Sequence, residues 1–277
     1  MKKQYFLFQL KSFFTNPKNI GLFALTFILS LYFGLVSVPN HQLIEKVDPY
    51  AINGEYRRYS LFLNKATASI TEMQKSKNTH EVPNEGYVNA IKTYPEILNF
   101  DKHRLDGIKS NNWREYVVYS SKWYKYIDHL IFVDENQQFL YPVQYYQNNN
   151  YREDGHFAYQ RIAHFYDALA KSKQPLTKNI VEEKTTLQIL QNSISGWTTL
   201  ILIIFVILFT ADIVTNDRKY YSVLKNIPLS KNSILWIKTA VIEIGVFFNF
   251  LLVFGVITLC TTPRYGFGSF NLRTTFY

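Results

Sequence analysis

The chain has 277 residues, 47% of them hydrophobic and 17% aromatic, with only 18% charged and a formal net charge of +9. That aromatic content excludes a disordered or low-complexity chain. One cysteine, Cys260, excludes an intrachain disulfide framework and a thiolate metal site.

Three stretches, residues 19–44, 185–211 and 244–263, contain no Asp, Glu, Lys or Arg, a pattern foreign to soluble domains. Residues 1–18 come first, with Tyr5, Phe6, Leu7, Phe8, Leu10, Phe13 and Phe14 interrupted by Gln9, Lys11 and Ser12. They suit a helix lying in a membrane interface, which Asn16-Pro17 then breaks. Residues 19–38 predict a first transmembrane helix, densest from Ile20 to Val38 and roughly 28 Å long at ~1.5 Å per residue. About 18 residues precede this run, and it exceeds the ~7–15 residues of a signal-peptide core. It therefore reads as an uncleaved anchor.

Residues 39–190 predict a mainly helical extracellular domain. Tyr56, Tyr59, Leu63, Ala66 and Ile70 recur at helical spacing, as do Phe157, Arg161, His164, Phe165 and Ala168, with Trp113, Tyr116, Val117 and Tyr124 between them. A short strand pair is an option at 129–133 and 138–145, turning at 134–137. Pro83, Pro95 and residues 148–150 read as loops. The absence of disulfides in a domain of this size suits a bacterial cell surface.

Residues 191–212 predict the second span, densest from Trp197 to Ala211 and closed by Asp212. In the connector 213–234, a short amphipathic helix fits residues 216–226, with Tyr220, Val223, Leu224 and Ile227 on one side. Pro228 stops it, and Ser230 or Asn232 can cap the next helix. Residues 235–262 predict the third span, and 263–277 an extracellular tail. If the third span begins at Leu235, Glu243 lies some 12 Å inside it at ~1.5 Å per residue, where an acid is a functional candidate. If it begins at Val241, Glu243 is interfacial and approaches Lys238, which is the preferred placement. Asn249 is placed to bond a neighbouring helix.

Orientation follows from the basic residues of the short segments. Lys2, Lys3, Lys11 and Lys18 precede the first span without an acid, and Arg218, Lys219, Lys225 and Lys231 lie between the second and third. Both segments face the cytoplasm, so the N-terminus is cytoplasmic and the protein multi-pass in a bacterial cell membrane. The excess positive charge is thereby accounted for by topology, with no reason to invoke nucleic acid. No phosphate-cradling Gly-x-x-x-x-Gly-Lys-Ser/Thr run is present, nor a Gly-x-Ser-x-Gly elbow. His156 and His164 share a helix face two turns apart near Asp154, which reads as a solvated or packed face rather than a metal site. No catalytic, metal or cofactor residue emerges, and no enzyme is expected.

An acid at Asp217, the amphipathic segment, the Pro228-x-Ser230-Lys231 turn and Lys238 entering the next span together resemble the permease subunits of ABC transporters of the ABC-2 type. The resemblance covers the N-terminal helix, the three spans and their connector, roughly half the chain. It implies that Asp217, Tyr220, Leu224, Lys225, Pro228, Ser230 and Lys231 form a coupling helix seated against a separate ATPase subunit. It also implies an exporter of a peptide or lipid-like substrate, and a partner that is a second permease half or a second copy, because such subunits typically have six spans. A fragment of a longer permease is the other implication. Two further readings remain open: a mechanotransmitting ABC membrane subunit, and a sensor or immunity protein whose extracellular domain binds a ligand without transport.

Overall fold

A computed structural model describes residues 1–40, 46–75, 83–146, 150–195, 197–211 and 228–270. The described chain is mainly helical, contains no strand, and divides into two compact units. One unit combines residues 1–41 with 184–270; the other holds the intervening residues 42–183.

In the first unit, α1 (Lys2–Thr15) is followed directly by α2 (Pro17–Asn40). Asn16 has extended backbone, and its side chain accepts from the Lys18 N–H at 3.0 Å. Pro17 at the first helical position loses no hydrogen bond, since that N–H has no partner within a helix. Asn19, 3% exposed, donates from Nδ2 to the Phe13 carbonyl at 2.9 Å and ties the corner shut. The expected break at Asn16-Pro17 is thus a capped elbow. Residues Phe33–Ser37 of α2 form a π-helical turn.

The apolar run predicted as one second span is two helices, α8 (Thr186–Ser195) and α9 (Trp197–Thr210). The helical path bends by 64° between Ile194 and Thr199. The third run is a single 35-residue helix, α10 (Lys231–Tyr265), begun by Ser230, whose hydroxyl accepts from the Ser233 N–H at 3.3 Å. It is roughly 52 Å long at ~1.5 Å per residue, against a hydrocarbon core of ~30 Å. By length and apolarity α2 and α10 can each cross a membrane, and α8 with α9 makes a third if the bent pair is one span.

Besides Lys238, the buried residues of α10 are Val241, Gly245, Asn249, Val253, Ile257 and Thr261, one every fourth position. They form a single ridge of the kind that packs into a neighbouring helix's groove. A Cβ on Gly245 would lie 2.2 Å from the Phe13 ring, and one on Gly34 would lie 2.9 Å from Cys260 Cβ. Both glycines permit close approach where lipid offers no hydrophobic drive for association. At the far end of α10 the Thr186 hydroxyl meets Thr261 Oγ1 at 2.9 Å and Thr262 Oγ1 at 3.0 Å. The Thr186 and Leu187 N–H groups donate to the Gly266 and Phe267 carbonyls at 3.1 and 3.0 Å, which satisfies donors that the start of α8 leaves open.

The second unit is a series of antiparallel helices: α3 (Pro49–Lys75), α4 (Glu85–Lys109), α5 (Trp113–Asp128) and α6 (Tyr151–Lys171), with a short α7 (Lys178–Val181) against α5. Each long helix packs on the next. Ala66, Ile97, Val117 and Ala163 lie in their shared apolar core with 0% exposure. Tyr59 and Leu63 pack against it as the α3 spacing predicts.

Three sequence expectations are corrected. Pro95 is inside α4 rather than in a loop; α4 tolerates the lost N–H while burying nine residues, among them Ile97 and Phe100. The strand pair is absent: residues 129–133 continue α5 as a π-helical turn, and residues 143–145 form a 3-10 turn. The backbone and side chain of Tyr141 are taken by side chains, its N–H by the Tyr151 hydroxyl at 3.1 Å and its own hydroxyl by Asp128 at 2.6 Å. The buried face of α6 is rotated from the predicted one. Tyr159, Ile162, Ala163, Tyr166 and Leu169 are buried together with the expected Phe165, and Phe157, Arg161 and His164 are exposed.

Candidate functional site

A cavity of about 600 Å³ opens within the second unit, a volume suited to a small-molecule ligand. Its walls come from the start of α3, from Arg104 of α4, from Tyr116 and Trp123 of α5, from residues 138–144, and from Tyr159 of α6. Residues 138–144 are held in place by buried Asp128. Besides the Tyr141 hydroxyl, its carboxylate engages His156 Nδ1 at 2.9 Å and Gln160 Nε2 at 2.6 Å, and the His156 ring stacks on Phe132 at 3.9 Å. Arg152 adds hydrogen bonds to the Phe132 carbonyl and to Glu135, each at 2.7 Å.

Arg104 is the chemically notable wall residue. Only 5% exposed, it donates from Nη1 to Asp101 at 3.0 Å. Its guanidinium carbon lies 4.8 Å from the Trp123 ring centre and 5.9 Å from that of Tyr116, within cation–π range. Arg104 Nε and Trp123 Nε1 are both buried without a hydrogen-bond partner among the described residues. Buried donors are nearly always paired, so two orphans on neighbouring wall residues require a reason. Asp101 is fully buried. Burial pushes its carboxyl up to about 6 against the pull of Arg104, with Glu55 of α3 adding to the rise.

At the cavity's α3 wall, Asp48 accepts from the N–H groups of Tyr50 and Ala51 at 2.8 and 3.2 Å and so caps α3. Arg58 lies over the Tyr59 ring at 5.0 Å and donates to its hydroxyl at 3.3 Å. Burial first, then the Glu55 charge, pushes the Tyr59 hydroxyl up to about 12. The cavity is therefore aromatic in body and ionic at defined points.

A separate aromatic cluster lies in the first unit. Phe13 and Phe14 of α1, Phe23 of α2, Phe209 of α9 and Phe248 of α10 touch one another with ring centres 4.9–6.4 Å apart. One node thus joins the N-terminal helix to all three apolar runs.

Of the sequence-derived coupling residues, Asp217, Tyr220, Leu224 and Lys225 lie outside the described residues. Pro228 is exposed, Ser230 caps α10, and Lys231 is the exposed first residue of that helix. The two span candidates separate. Asn249 is on the buried ridge, 3% exposed, with an Oδ1 that has no partner among the described residues. Glu243 is exposed on another face of α10, a helix that begins at Lys231 behind Ser230, one of the two caps expected from the sequence. His156 is committed to Asp128 and His164 is exposed; among the described residues no group of three His, Cys, Asp or Glu could hold a metal ion.

Sequence reasoning missed Arg104. In the run Asp101-Lys102-His103-Arg104 it reads as part of a solvated charged face, and its aromatic partners on α5 lie more than ten residues further along. The chain matches no protein-family model, no curated protein and no solved structure, so its function is read from its own residues.

Proposed function

We propose that the chain is a membrane-spanning subunit of a bacterial ABC-type exporter that couples ATP hydrolysis in a separate subunit to export of a peptide or lipid-like substrate. The N-terminal helix and the connector between the second and third spans face the cytoplasm in this reading, and the second unit is extracellular. The observation that carries it is the phenylalanine node, through which α1 contacts all three apolar runs. A force applied to the connector between α9 and α10 would reach α1 and α2 through Phe209 and Phe248. The Pro228-to-Lys231 turn supports the same reading, because its Ser230 cap fixes where the connector ends and the rigid α10 begins. The bilayer, an ATPase and a second permease half or second copy are the partners.

The mechanism has no chemical step in this chain. Nucleotide-driven movement of the ATPase would displace residues 213–231, and α9 and α10 would tilt as elements pinned at the node. Purification from native membranes in mild detergent, followed by mass spectrometry, tests the reading: an ATPase should copurify.

A ligand-binding membrane protein without transport is the second reading, favoured by the cavity around Arg104. It requires no ATPase.

A further inference from the structure

We infer that the cavity of the second unit is a binding site for a monoanionic carboxylate with an apolar or aromatic body, seated against Arg104 and Trp123. Four observations carry this. The cavity volume of about 600 Å³ admits a ligand the size of a short peptide or a medium-chain acid. Its lining includes the cations Lys46, Arg58 and Arg104 and the acids Asp48 and Glu55, and with Asp101 hydrogen-bonded to Arg104 the charges balance, which leaves room for a single carboxylate but not for a dianion.

The third observation is the pair of orphan donors. An unpartnered buried N–H is destabilising, and a carboxylate oxygen is the acceptor that relieves it most strongly on a guanidinium. Arg104 uses Nη1 on Asp101 and leaves Nε unpaired, and Trp123 Nε1 is a second unpaired donor on the ring 4.8 Å from the guanidinium; both atoms lie just under the cavity wall, so a bound carboxylate would draw them toward it. Finally, Tyr59, Phe139 and Tyr159 give the same cavity apolar walls for the ligand's body. The inference stands on the second unit alone and does not depend on the exporter reading.

A peptide C-terminus and a free fatty acid share this chemistry, and a dialysis experiment separates them. The full-length protein in lipid nanodiscs is dialysed at pH 7 against N-acetyl-Phe-Phe acid and its C-terminal amide, and against octanoate and octanamide, with empty nanodiscs as the blank. At least one acid should bind about tenfold or more tightly than its neutral twin, given the strength of hydrogen bonds to a buried charged donor. Whichever acid binds identifies the source. Arg104→Gln should abolish the preference for acid.

Loss of Arg104 leaves buried Asp101 unpaired and so perturbs the fold as well as the site; Ala51→Trp supplies a second variant that keeps this pair. Ala51 lines the cavity from an exposed position on α3, where a large ring fills space without entering the core. It should weaken acid binding by about tenfold or more. Equal binding of acid and neutral twin, no saturable acid binding at millimolar concentration, or unchanged binding by Ala51→Trp would each overturn the inference.

Discussion

Asp101 shows how a buried residue sets a pH dependence. Its carboxyl binds a proton more tightly folded than unfolded, because burial raises it from 3.8 to about 6 despite Arg104 on its own helix and in the presence of Glu55 from α3. Its contribution is therefore most favourable below the unfolded value, where it is protonated in both states, and falls as the pH rises through 6. Relative to Asp101→Asn, the wild-type protein should lose thermal stability between pH 4 and pH 7; a relative gain would mean that the ionised Arg104 pair outweighs burial. Packing makes a second residue-scale contrast. Tyr166 is 1% exposed and Phe157 63%, so Tyr166→Ala should cost about 3–5 kcal/mol, as large aromatic truncations in cores do, and Phe157→Ala under about 0.5 kcal/mol. Chemical denaturation of the two variants checks this. On α6 the sequence pattern places Phe165 correctly in the core but puts Phe157, Arg161 and His164 beside it, whereas Tyr159, Ile162 and Tyr166 are its buried neighbours. Tyrosine serves either environment, so a domain rich in it has blurred amphipathic boundaries.

At the scale of elements, the elbow and α10 were legible because their signals are local. Asn16-Pro17 is a helix stop followed by a helix start, and Ser230 is a capping residue two positions after Pro228. The α4 proline and the region 129–145 were not legible, since their outcomes depend on partners distant in sequence, such as Asp128 with Tyr141 and Gln160. Contact between α1 and α10 rests on the missing side chain of Gly245, whose space Phe13 occupies. Gly245→Leu should displace α1 and lower stability by about 1–3 kcal/mol, as overpacking does, with an accompanying rise in protease cleavage near Thr15. Unchanged cleavage and melting would place no weight on that contact. The α8–α9 bend escaped sequence reading because uncharged residues run continuously from 185 to 211, and hydropathy carries no information on helix direction.

For the whole molecule, the alternation of apolar runs with polar segments was readable from charge distribution alone, and the helical domain from its periodicity. The cavity was not, because it is formed by residues from four helices and a connecting segment. The proposed orientation places residues 46–183 outside and both α1 and Lys231 inside. In a Cys260→Ser background, an impermeant maleimide should label Glu72→Cys in intact cells, and Lys11→Cys or Lys231→Cys only after permeabilisation; the reverse pattern would invert the topology. The exporter reading is tested most directly by the amount of ATPase that copurifies with the full-length protein when Asp217→Ala and Lys225→Glu are combined. Wild type should retain an ATPase in fixed ratio, and the double variant should lose most of it while keeping its own expression and folding. A stable wild-type complex without an ATPase, or equal retention by the double variant, would contradict coupling through the connector.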